Sequence, residues 1–564
     1  MKRIIIIGGL SAGPSAAAKA RREDENVEIL LFEKGINISY ATCGMPYAFS
    51  GIIENRSDLI VVDPELMKNR FNIDVKLNEE IINIDTENKI VYSKHSDYSY
   101  DKLVFATGAT SIVPPIKNIK RATNWSTCRS MIDFDKIMKE GLATSSKYIT
   151  IIGAGLIGVE VAENLRKAGK EVTLIEGDNQ ILTMWQQKFS NFAETILKSE
   201  GIKVFTSSFV KEFELDDIGK IIGVKIEGKE VIKTDFVIVS VGIKPTTDLL
   251  IQKGAKHTKN GALIVNERME TSLKDVYAAG DNVSIKNLQT NEYDYFPLGT
   301  HSNKAGRAAG ANAVGKDIVF KGAYKTAIIK VFNYTLARTG LNTKYLKENN
   351  IPFKTVLTVV GSTPSYYPNA KDLFTELYFN PETEEILGAE LFGEVGVDKR
   401  VDVLSTAIYA KLKITDLSQL DLAYAPPFSP AKDPVVVTSF VAKNMLENNG
   451  DQISVEELEL IVNGKNTSDF LLIDTRTVEE FMEGAVPNAI NIPTDEIRNY
   501  IDFIKKENKP IILICRRGVR AYIAQLILKH NNIPNVLNLA GGMKVWTLFS
   551  DKVIIPAPVS INKN

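Results

Sequence analysis

One unit constrains this chain more than any other feature, and it occurs twice: an apolar strand, a glycine turn, a helix, and a second strand ending in glutamate. In the first copy residues 4–7 are four isoleucines, followed by Gly8-Gly9-Leu10-Ser11-Ala12-Gly13, an alanine-rich helix, and a strand over 27–32 that ends at Glu33. In the second, residues 148–152 run into Gly153-Ala154-Gly155-Leu156-Ile157-Gly158-Val159-Glu160, and a strand over 172–175 ends at Glu176. Strands apolar on both faces belong to parallel sheets covered by helices. A glycine turn between such a strand and a helix lets backbone N–H groups meet a pyrophosphate at the helix N-terminus, while the acid takes ribose hydroxyls. The second copy is a full G-x-G-x-x-G with its acid 18 residues beyond Gly158; the first has Leu10 at the second glycine and its acid 20 residues beyond Gly13. An acid at position 176 accepts from an adenosine 2′-OH and repels a 2′-phosphate, which predicts a preference for NADH over NADPH.

Three further stretches read as buried strands leaving through small residues: Ala106-Thr107-Gly108, the run 236–242 ending in Gly242, and Ala279-Gly280-Asp281. Small residues there let the chain pass close to a nucleotide, and Asp281 is placed to bond a ribityl hydroxyl. Pro297-Leu298-Gly299-Thr300 precedes a helix carrying Asn303, Lys304 and Arg307. Its N-terminus suits the pyrimidine edge of a flavin, although a solvated helix start is the plainer reading of Lys304 and Arg307. Two such units, one nested inside the other, imply two dinucleotides placed to exchange a hydride.

Bulk properties narrow the setting. At 564 residues the chain exceeds a single core. A net charge of -1 gives no reason to expect nucleic acid or an anionic membrane as partner. Three widely spaced cysteines cannot build a disulfide framework, which points to a reducing, cytoplasmic environment. The start has a basic residue pair and an apolar run, but glycines interrupt it after four isoleucines, so a strand is preferred to a signal peptide. No window has the ~18 or more uninterrupted apolar residues of a membrane span.

The segment Ser39-Tyr40-Ala41-Thr42-Cys43-Gly44-Met45-Pro46-Tyr47 follows the first unit directly. A thiol on a Gly/Pro-rich segment that opens a helix is held as thiolate by backbone N–H groups. An inert buried thiol is the usual fate of a free cysteine, and that is the reading taken for Cys128. Cys43 is read as the redox centre.

In order, these motifs resemble the flavin-dependent pyridine-nucleotide disulfide reductases over residues 1–445, and within them the single-cysteine branch of coenzyme A disulfide reductases, with NADH oxidases and peroxidases as relatives. The resemblance implies FAD held by Gly8, Leu10, Ser11, Ala12, Gly13, Glu33, Lys34, Ile81, Ala106, Thr107, Gly108, Asp281, Pro297, Leu298, Gly299, Tyr424 and Phe428. It implies NAD(P)H held by Gly153, Gly155, Leu156, Ile157, Gly158, Glu160, Glu176 and Gly242. Dithiol reductases have a second cysteine five residues after the first, where this chain has Ala48, so Cys43 must pair with an outside thiol or be oxidised alone. None of His95, His257, His301 and His530 lies where dithiol reductases carry their acid–base histidine. Tyr367, in Ser365-Tyr366-Tyr367-Pro368, and Tyr424, in Ala423-Tyr424-Ala425-Pro426-Pro427-Phe428, are candidates to protonate the leaving thiolate. The resemblance implies that both come from the partner subunit of a homodimer; packing beside turn prolines is the plainer alternative. It also implies that coenzyme A is held by Ser15, Lys19, Arg22, Ser39, Thr42, Asn303 and Lys432. Thr42 stands where the family usually has Asn, Lys19 replaces an amide, and surface charge is the ordinary reading of each basic residue.

Beyond a linker at 446–453 the pattern changes. A helix over 455–462, a strand over 470–474 and a strand over 510–514 lead to Cys515-Arg516-Arg517-Gly518-Val519-Arg520 and a helix over 521–529. Such a loop wraps N–H groups around a sulfur, and with the helix dipole and arginines it favours thiolate. The spacing is C-x4-R, one residue shorter than the C-x5-R cradle of Cys phosphatases, and it suits a cysteine-bound sulfur. Together with Ile473-Asp474-Thr475-Arg476, Gly484-Ala485-Val486-Pro487-Asn488-Ala489 and Gly541-Gly542-Met543 it resembles a single rhodanese domain, which implies a persulfide on Cys515. Asp474 and Arg476 read as a buried structural pair.

The expected architecture is α/β: two nested Rossmann-like domains for FAD (1–112 and 254–325) and NAD(P)H (113–253), an α+β dimerisation domain (326–445), a linker (446–453) and a rhodanese α/β domain (454–560). The expected function is that of a cytoplasmic homodimeric flavoprotein acting on small molecules, with no metal. It would use NAD(P)H to reduce CoA disulfide, CoA persulfide or polysulfide through a Cys43–CoA mixed disulfide, with sulfane sulfur carried on Cys515. An NADH oxidase or peroxidase cycling through Cys43 sulfenic acid is one alternative, weakened because peroxide reduction needs no sulfur carrier. A CoA-binding flavoprotein redox sensor is the other.

Overall fold

The computed structural model describes residues 2–464, 467–550 and 552–555. The chain forms two units, residues 1–182 with 197–325 and residues 183–196 with 326–564.

The first unit holds two parallel sheets. One is built from β1 (Arg3–Ile7), β2 (Glu28–Phe32), β3 (Asp74–Lys76), β4 (Lys102–Phe105) and, from far along the chain, a strand over Val276–Ala278 that lies at the opposite edge from β3. Because β1 is central, with parallel neighbours on both sides, Ile4, Ile5 and Ile6 are fully buried. A continuous isoleucine run is what that position demands. Between β1 and β2 lies helix α1 (Ala12–Glu23); α2 (Met45–Phe49) follows β2. The second sheet comprises β5 (Trp125–Thr127), β6 (Tyr148–Ile152), β7 (Glu171–Ile175), β8 (Lys203–Phe205) and β9 (Phe236–Val239), ordered β8-β7-β6-β9-β5. Helix α3 (Leu156–Lys167) links β6 to β7. The strand Val276–Ala278 is β10, and α4 (Gly299–Ala313) packs along α1. A Cβ at Gly306 would lie 2.4 Å from the Ala12 carbonyl oxygen, and one at Gly310 2.1 Å from that of Ala16, so glycine there permits the close approach of the two helices.

The second unit combines an antiparallel sheet with a separate parallel one. Strands β11 (Ala327–Val331), β12 (Tyr334–Gly340), β13 (Lys354–Gly361), β14 (Asp372–Phe379) and β15 (Ile386–Gly393) are ordered β11-β12-β15-β14-β13. Every residue of β15 is buried, as befits its central place, and α5 (Pro434–Leu446) packs on β13. Then come β16 (Gln452–Ile453), α6 (Val455–Asn463), β17 (Leu471–Asp474), β18 (Ile490–Asn491), β19 (Ile511–Ile514), α7 (Val519–His530), β20 (Val536–Leu539) and α8 (Gly542–Phe549), with strands ordered β16-β20-β19-β17-β18.

The linker expected over 446–453 is shorter than that reading. Helix α5 continues through Leu446, and Gln452 and Ile453 already pair with Asn538 and Leu539 of β20. Ile453 is buried, which fixes the register of that two-residue strand. Residues 556–560, expected to close the last domain, lie outside the described residues. Among the described residues no helix is long and apolar enough to cross a membrane.

Candidate functional site

The first glycine turn is pressed against the exit of β4. Gly8 has φ +109°, and a Cβ on it would sit 2.1 Å from the Ala106 carbonyl oxygen; one on Gly13 would sit 1.8 Å from that of Gly8. Glu33 folds back on the turn, its Oε2 accepting from the Gly9 N–H at 2.8 Å and its Oε1 from the Gly35 N–H at 2.8 Å. Ser11, the N-cap of α1, makes no side-chain capping bond, leaving the helix amides available to an anion. Beside the turn lies a cavity of about 600 Å³ lined by Gly8, Gly9, Leu10, Glu33, Lys34, Ala106, Thr107 and Gly108, and also by Tyr40, Trp125, Arg129 and Asp133. Its size suits a large cofactor, and the glycine cradle and pendant acid fit a dinucleotide such as FAD.

The other residues expected around FAD lie outside this lining. Asp281 is braced: Arg129 Nη2 donates to it at 2.9 Å and Ser302 Oγ at 3.1 Å, while Arg129 Nε donates to the Ala109 carbonyl at 2.7 Å. Sequence reasoning missed Arg129, which lies in no motif. Ser11, Ala12, Gly13, Asp281, Pro297, Leu298 and Gly299 do not line the cavity. Ile81 is turned into the hydrophobic core. Tyr424 and Phe428 belong to the other unit. Burial pushes the Tyr40 hydroxyl up to about 12.

The second turn repeats this construction. Gly153 has φ +101°, with a Cβ position 2.5 Å from the Ser240 carbonyl oxygen, and Gly158 would place a Cβ 1.9 Å from that of Gly153. Glu176 Oε2 accepts from the Ala154 N–H at 2.7 Å and its Oε1 from the Asp178 N–H at 3.0 Å. Gly155 caps α3 with open space around its Cβ position, Leu156 and Ile157 begin the helix, and Gly242 has φ +120°. On α3, Glu160 accepts from the Tyr47 hydroxyl at 3.3 Å, and burial pushes its carboxyl up to about 7.

Cys43 lies in a single 3-10 turn, Thr42–Gly44, that leads into α2, and it is exposed. Helix α2 rests on α3 through Tyr47 and through Ser50 Oγ, 2.7 Å from Asn164 Oδ1. The Ser39 N–H donates to the Gly9 carbonyl at 2.8 Å, which ties the cysteine segment to the first glycine turn. Thr42 Oγ1 is 4.0 Å from Cys43 Sγ. Of the residues expected at coenzyme A, Ser15 and Asn303 meet each other at 2.6 Å. Lys19 is paired with Glu23, Arg22 lies over the Phe71 ring at 6.0 Å, and Lys432 is exposed. Cys128 is buried, and burial pushes its thiol up to about 12.

In the second unit the hydroxyls of Tyr424 and Tyr366 lie 3.4 Å apart, both rings exposed, and that bond raises the Tyr366 hydroxyl above its ordinary value. The tyrosine beside Tyr424 is Tyr366, and the N–H of the expected Tyr367 closes a turn onto the Pro364 carbonyl. Phe428 is also exposed. Cys515 follows β19 and is buried, its Sγ accepting from the Gly518 N–H at 3.0 Å. The arginines of its loop do not all face the sulfur: Arg520 pairs with Glu480 at 2.6 Å, Arg517 pairs with Asp372 at 2.5 Å, and Arg516 is exposed. Asp474 and Arg476 form a buried pair at 2.8 Å, and Arg476 also donates to the Gly484 carbonyl at 2.6 Å.

Residues 2–294 match the pyridine nucleotide-disulphide oxidoreductase family, residues 326–434 its dimerisation domain, and residues 454–548 the rhodanese-like domain. The chain is similar to a solved structure of reduced CoADR-RHD from Bacillus anthracis, with 35% identity, a TM-score of 0.92, and coverage of 98% of this chain and 99% of that one. It is similar to an NAD-dependent persulfide reductase from A. fulgidus, with 34% identity, a TM-score of 0.90 and coverage of 96% and 100%. It is 32% identical to an NAD(P)H coenzyme A polysulfide/persulfide reductase of Pyrococcus horikoshii over 78% of this chain and 98% of that protein.

Proposed function

Because this chain belongs to the pyridine nucleotide-disulphide oxidoreductase family and ends in a rhodanese-like domain, we propose that it is an NADH-dependent flavoprotein reducing CoA disulfide, CoA persulfide or polysulfide. The observation that carries this reading is one exposed thiol, Cys43, joined in the same chain to a second sulfur, Cys515, cradled by backbone N–H. With Ala48 in place of a resolving cysteine, Cys43 borrows its partner sulfur from a diffusible thiol.

FAD fits the cradle of Gly8, Gly13 and Glu33, and bound there it would take a hydride from NADH and deliver two electrons to the Cys43 sulfur. The residues of the second turn, with Glu176 after β7 folded back onto it, hold the NADH adenosine. Cys43 thiolate attacks a sulfur of CoA disulfide; the S–S bond breaks, one CoA thiolate leaves, and a Cys43–S–S–CoA bond forms. Two-electron reduction of that bond returns the Cys43 thiolate and a second CoA thiolate. With CoA persulfide, attack on the CoA-bound sulfur forms the same mixed disulfide and releases hydrosulfide; polysulfide loads Cys515, whose sulfane sulfur passes to CoA thiolate to make that persulfide. The dimerisation domain implies a homodimer, in which Tyr424 or Tyr367, with Tyr366 beside Tyr424, reaches Cys43 of the second chain and protonates the leaving thiolate. Ser15, Ser39, Thr42 and Asn303 position the CoA moiety, with Arg22 and Lys432 as cations for its phosphates. Cys515 carries sulfane sulfur, and the protein works in the cytoplasm.

Anaerobic NADH oxidation by the flavin-loaded protein, with CoA disulfide, CoA persulfide, polysulfide and peroxide compared, tests this. A sulfur acceptor is expected to be fastest, and Cys43→Ser to abolish turnover with each. Peroxide as the fastest acceptor would overturn the reading in favour of a peroxidase cycling through sulfenic acid on Cys43.

A further inference from the structure

The hairpin that presents Tyr366 joins β13 to β14. Its base is closed by Gly361 opposite Asp372 and by the Ser362 N–H donating to the Lys371 carbonyl at 2.7 Å. The Asp372 side chain, only 17% exposed, meets two cations of the C-terminal domain: Arg517 Nη2 lies 2.5 Å from Oδ1 and Lys544 Nζ lies 2.9 Å from Oδ2. Arg517 is two residues past Cys515. Lys544 is in the first turn of α8, and that turn is bonded to the cysteine loop itself. The Met543 N–H donates to the Cys515 carbonyl at 2.8 Å and the Lys544 N–H to the Arg516 carbonyl at 3.1 Å. A Cβ on Gly542 would stand 2.2 Å from the Cys515 carbonyl oxygen, so loop and helix start are pressed into one piece. One carboxylate at the foot of the tyrosine hairpin thus grips that piece from two sides.

We propose that Asp372 is a positioning residue that seats the Cys515 loop against the Tyr366 hairpin, so that sulfane sulfur leaves from a fixed place. This rests on the reading of Cys515 as a sulfur carrier. In the step served, an acceptor thiolate attacks the outer sulfur of Cys515–S–SH. The bond between the two sulfurs breaks, Cys515 leaves as thiolate, and the acceptor becomes a persulfide that keeps the proton. No oxidant or reductant is consumed. Arg517 and Lys544 are 39% and 36% exposed, and pairs this open to water add little to stability. Their effect is geometric: a tethered group held in one orientation reacts far faster than one that wanders, and about 1 Å of misplacement can cost about a hundredfold. Gln452 supports the same seat, its carboxamide donating to the Leu357 carbonyl and accepting from the Leu357 N–H, each at 3.0 Å.

The test uses the full flavin-loaded chain with Asp372→Asn, Asp372→Glu, Lys544→Gln and Cys515→Ser. NADH oxidation is measured with polysulfide plus catalytic CoA and, separately, with CoA disulfide; persulfide loading of Cys515 is followed by mass spectrometry. Asp372→Asn is expected to slow the polysulfide reaction about tenfold, while CoA disulfide turnover and Cys515 loading stay within about twofold of the parent. Asp372→Glu should recover most of the loss, and Lys544→Gln should show a smaller one. Polysulfide turnover unchanged in Asp372→Asn but lost in Cys515→Ser would overturn the positioning role and leave the carrier intact. Polysulfide turnover unchanged in Cys515→Ser would overturn the carrier reading and this inference with it. Should Asp372→Asn fail to fold, Lys544→Gln decides the matter alone, since full polysulfide turnover in that variant contradicts the two-sided grip.

Discussion

The two glycine turns of the first unit are the same device built twice, and their difference at the middle glycine position shows what each glycine is for. Gly8 and Gly153 both have positive φ and both lie against a neighbouring strand exit, at Ala106 and Ser240; Gly13 and Gly158 both press on the carbonyl of the first glycine. Glu33 and Glu176 both fold back to accept from the second residue of the turn, Gly9 in one and Ala154 in the other. The middle position is Leu10 in the first turn and Gly155 in the second, and nothing lies within 4 Å of a Cβ at Gly155. The first and last glycines are therefore demanded by the protein's own backbone, whereas the middle one answers only to the ligand. A second contrast lies on the helices that follow: Ser15 of α1 occupies the place that Glu160 occupies on α3.

The largest expected effect comes from filling a forbidden position. Gly13→Ala should cost about 2–3 kcal/mol of folding stability through overpacking and yield protein without visible flavin absorbance. Gly158→Ala should keep the flavin and lose NADH turnover by at least about tenfold, worth ~1.4 kcal/mol. Flavin loss in the second variant would show that the turns do not act separately. Next, the two acids should divide the same way. Glu176→Ala should lower kcat/KM for NADH about tenfold and raise that for NADPH, whereas Glu33→Ala should weaken flavin retention. An unchanged NADH/NADPH ratio would remove Glu176 from cofactor choice.

The contrast between Glu160 and Ser15 predicts a pH signature. Burial holds the Glu160 carboxyl at about 7, above its ordinary 4.5. Between those values the folded chain binds more proton than the unfolded one, so this group's contribution to stability falls as pH rises. Glu160→Gln removes that loss. Its stability relative to the parent should climb from about pH 5 to pH 8, by at most about 3 kcal/mol, in denaturant titrations at each pH. Ser15→Ala should give a difference that does not vary with pH. A flat profile for Glu160→Gln would mean the carboxyl titrates normally. Smallest of all, Gly155→Leu, which copies the first turn into the second, should leave folding stability within about 0.5 kcal/mol of the parent and alter only the KM for NADH. Loss of the folded protein would refute the idea that the middle glycine is free of packing.

The parts of the structure readable from sequence were those written in local pattern. The isoleucine run over 4–7 and the apolar run over 148–152 could only be strands covered on both faces, and both are central in their sheets. The Cys43 segment announced a turn and a short helix through Gly44 and Pro46, and both are present. What escaped depended on partners distant in the chain. Arg129 reaches Asp281 across 152 positions, and no spacing rule connects them. Arg517 looked like part of a sulfur cradle, yet its partner Asp372 belongs to another domain. Tyr366 and Tyr367 are adjacent and chemically identical, so only the turn geometry decides which one meets Tyr424. The linker looked polar, and the pairing of Gln452 with β20 depends on a strand 86 residues later.

The bond between Gln452 and Leu357 has a further consequence. Strand β13 is the last in its sheet, and a bare strand edge invites pairing with another molecule. Here a side-chain amide from the appended domain occupies that edge at Leu357, with Gly541 packed over Leu357 and Val359. The C-terminal domain is thus also a cover, and a chain shortened to end at Leu446 should keep its reductase chemistry while becoming prone to concentration-dependent self-association.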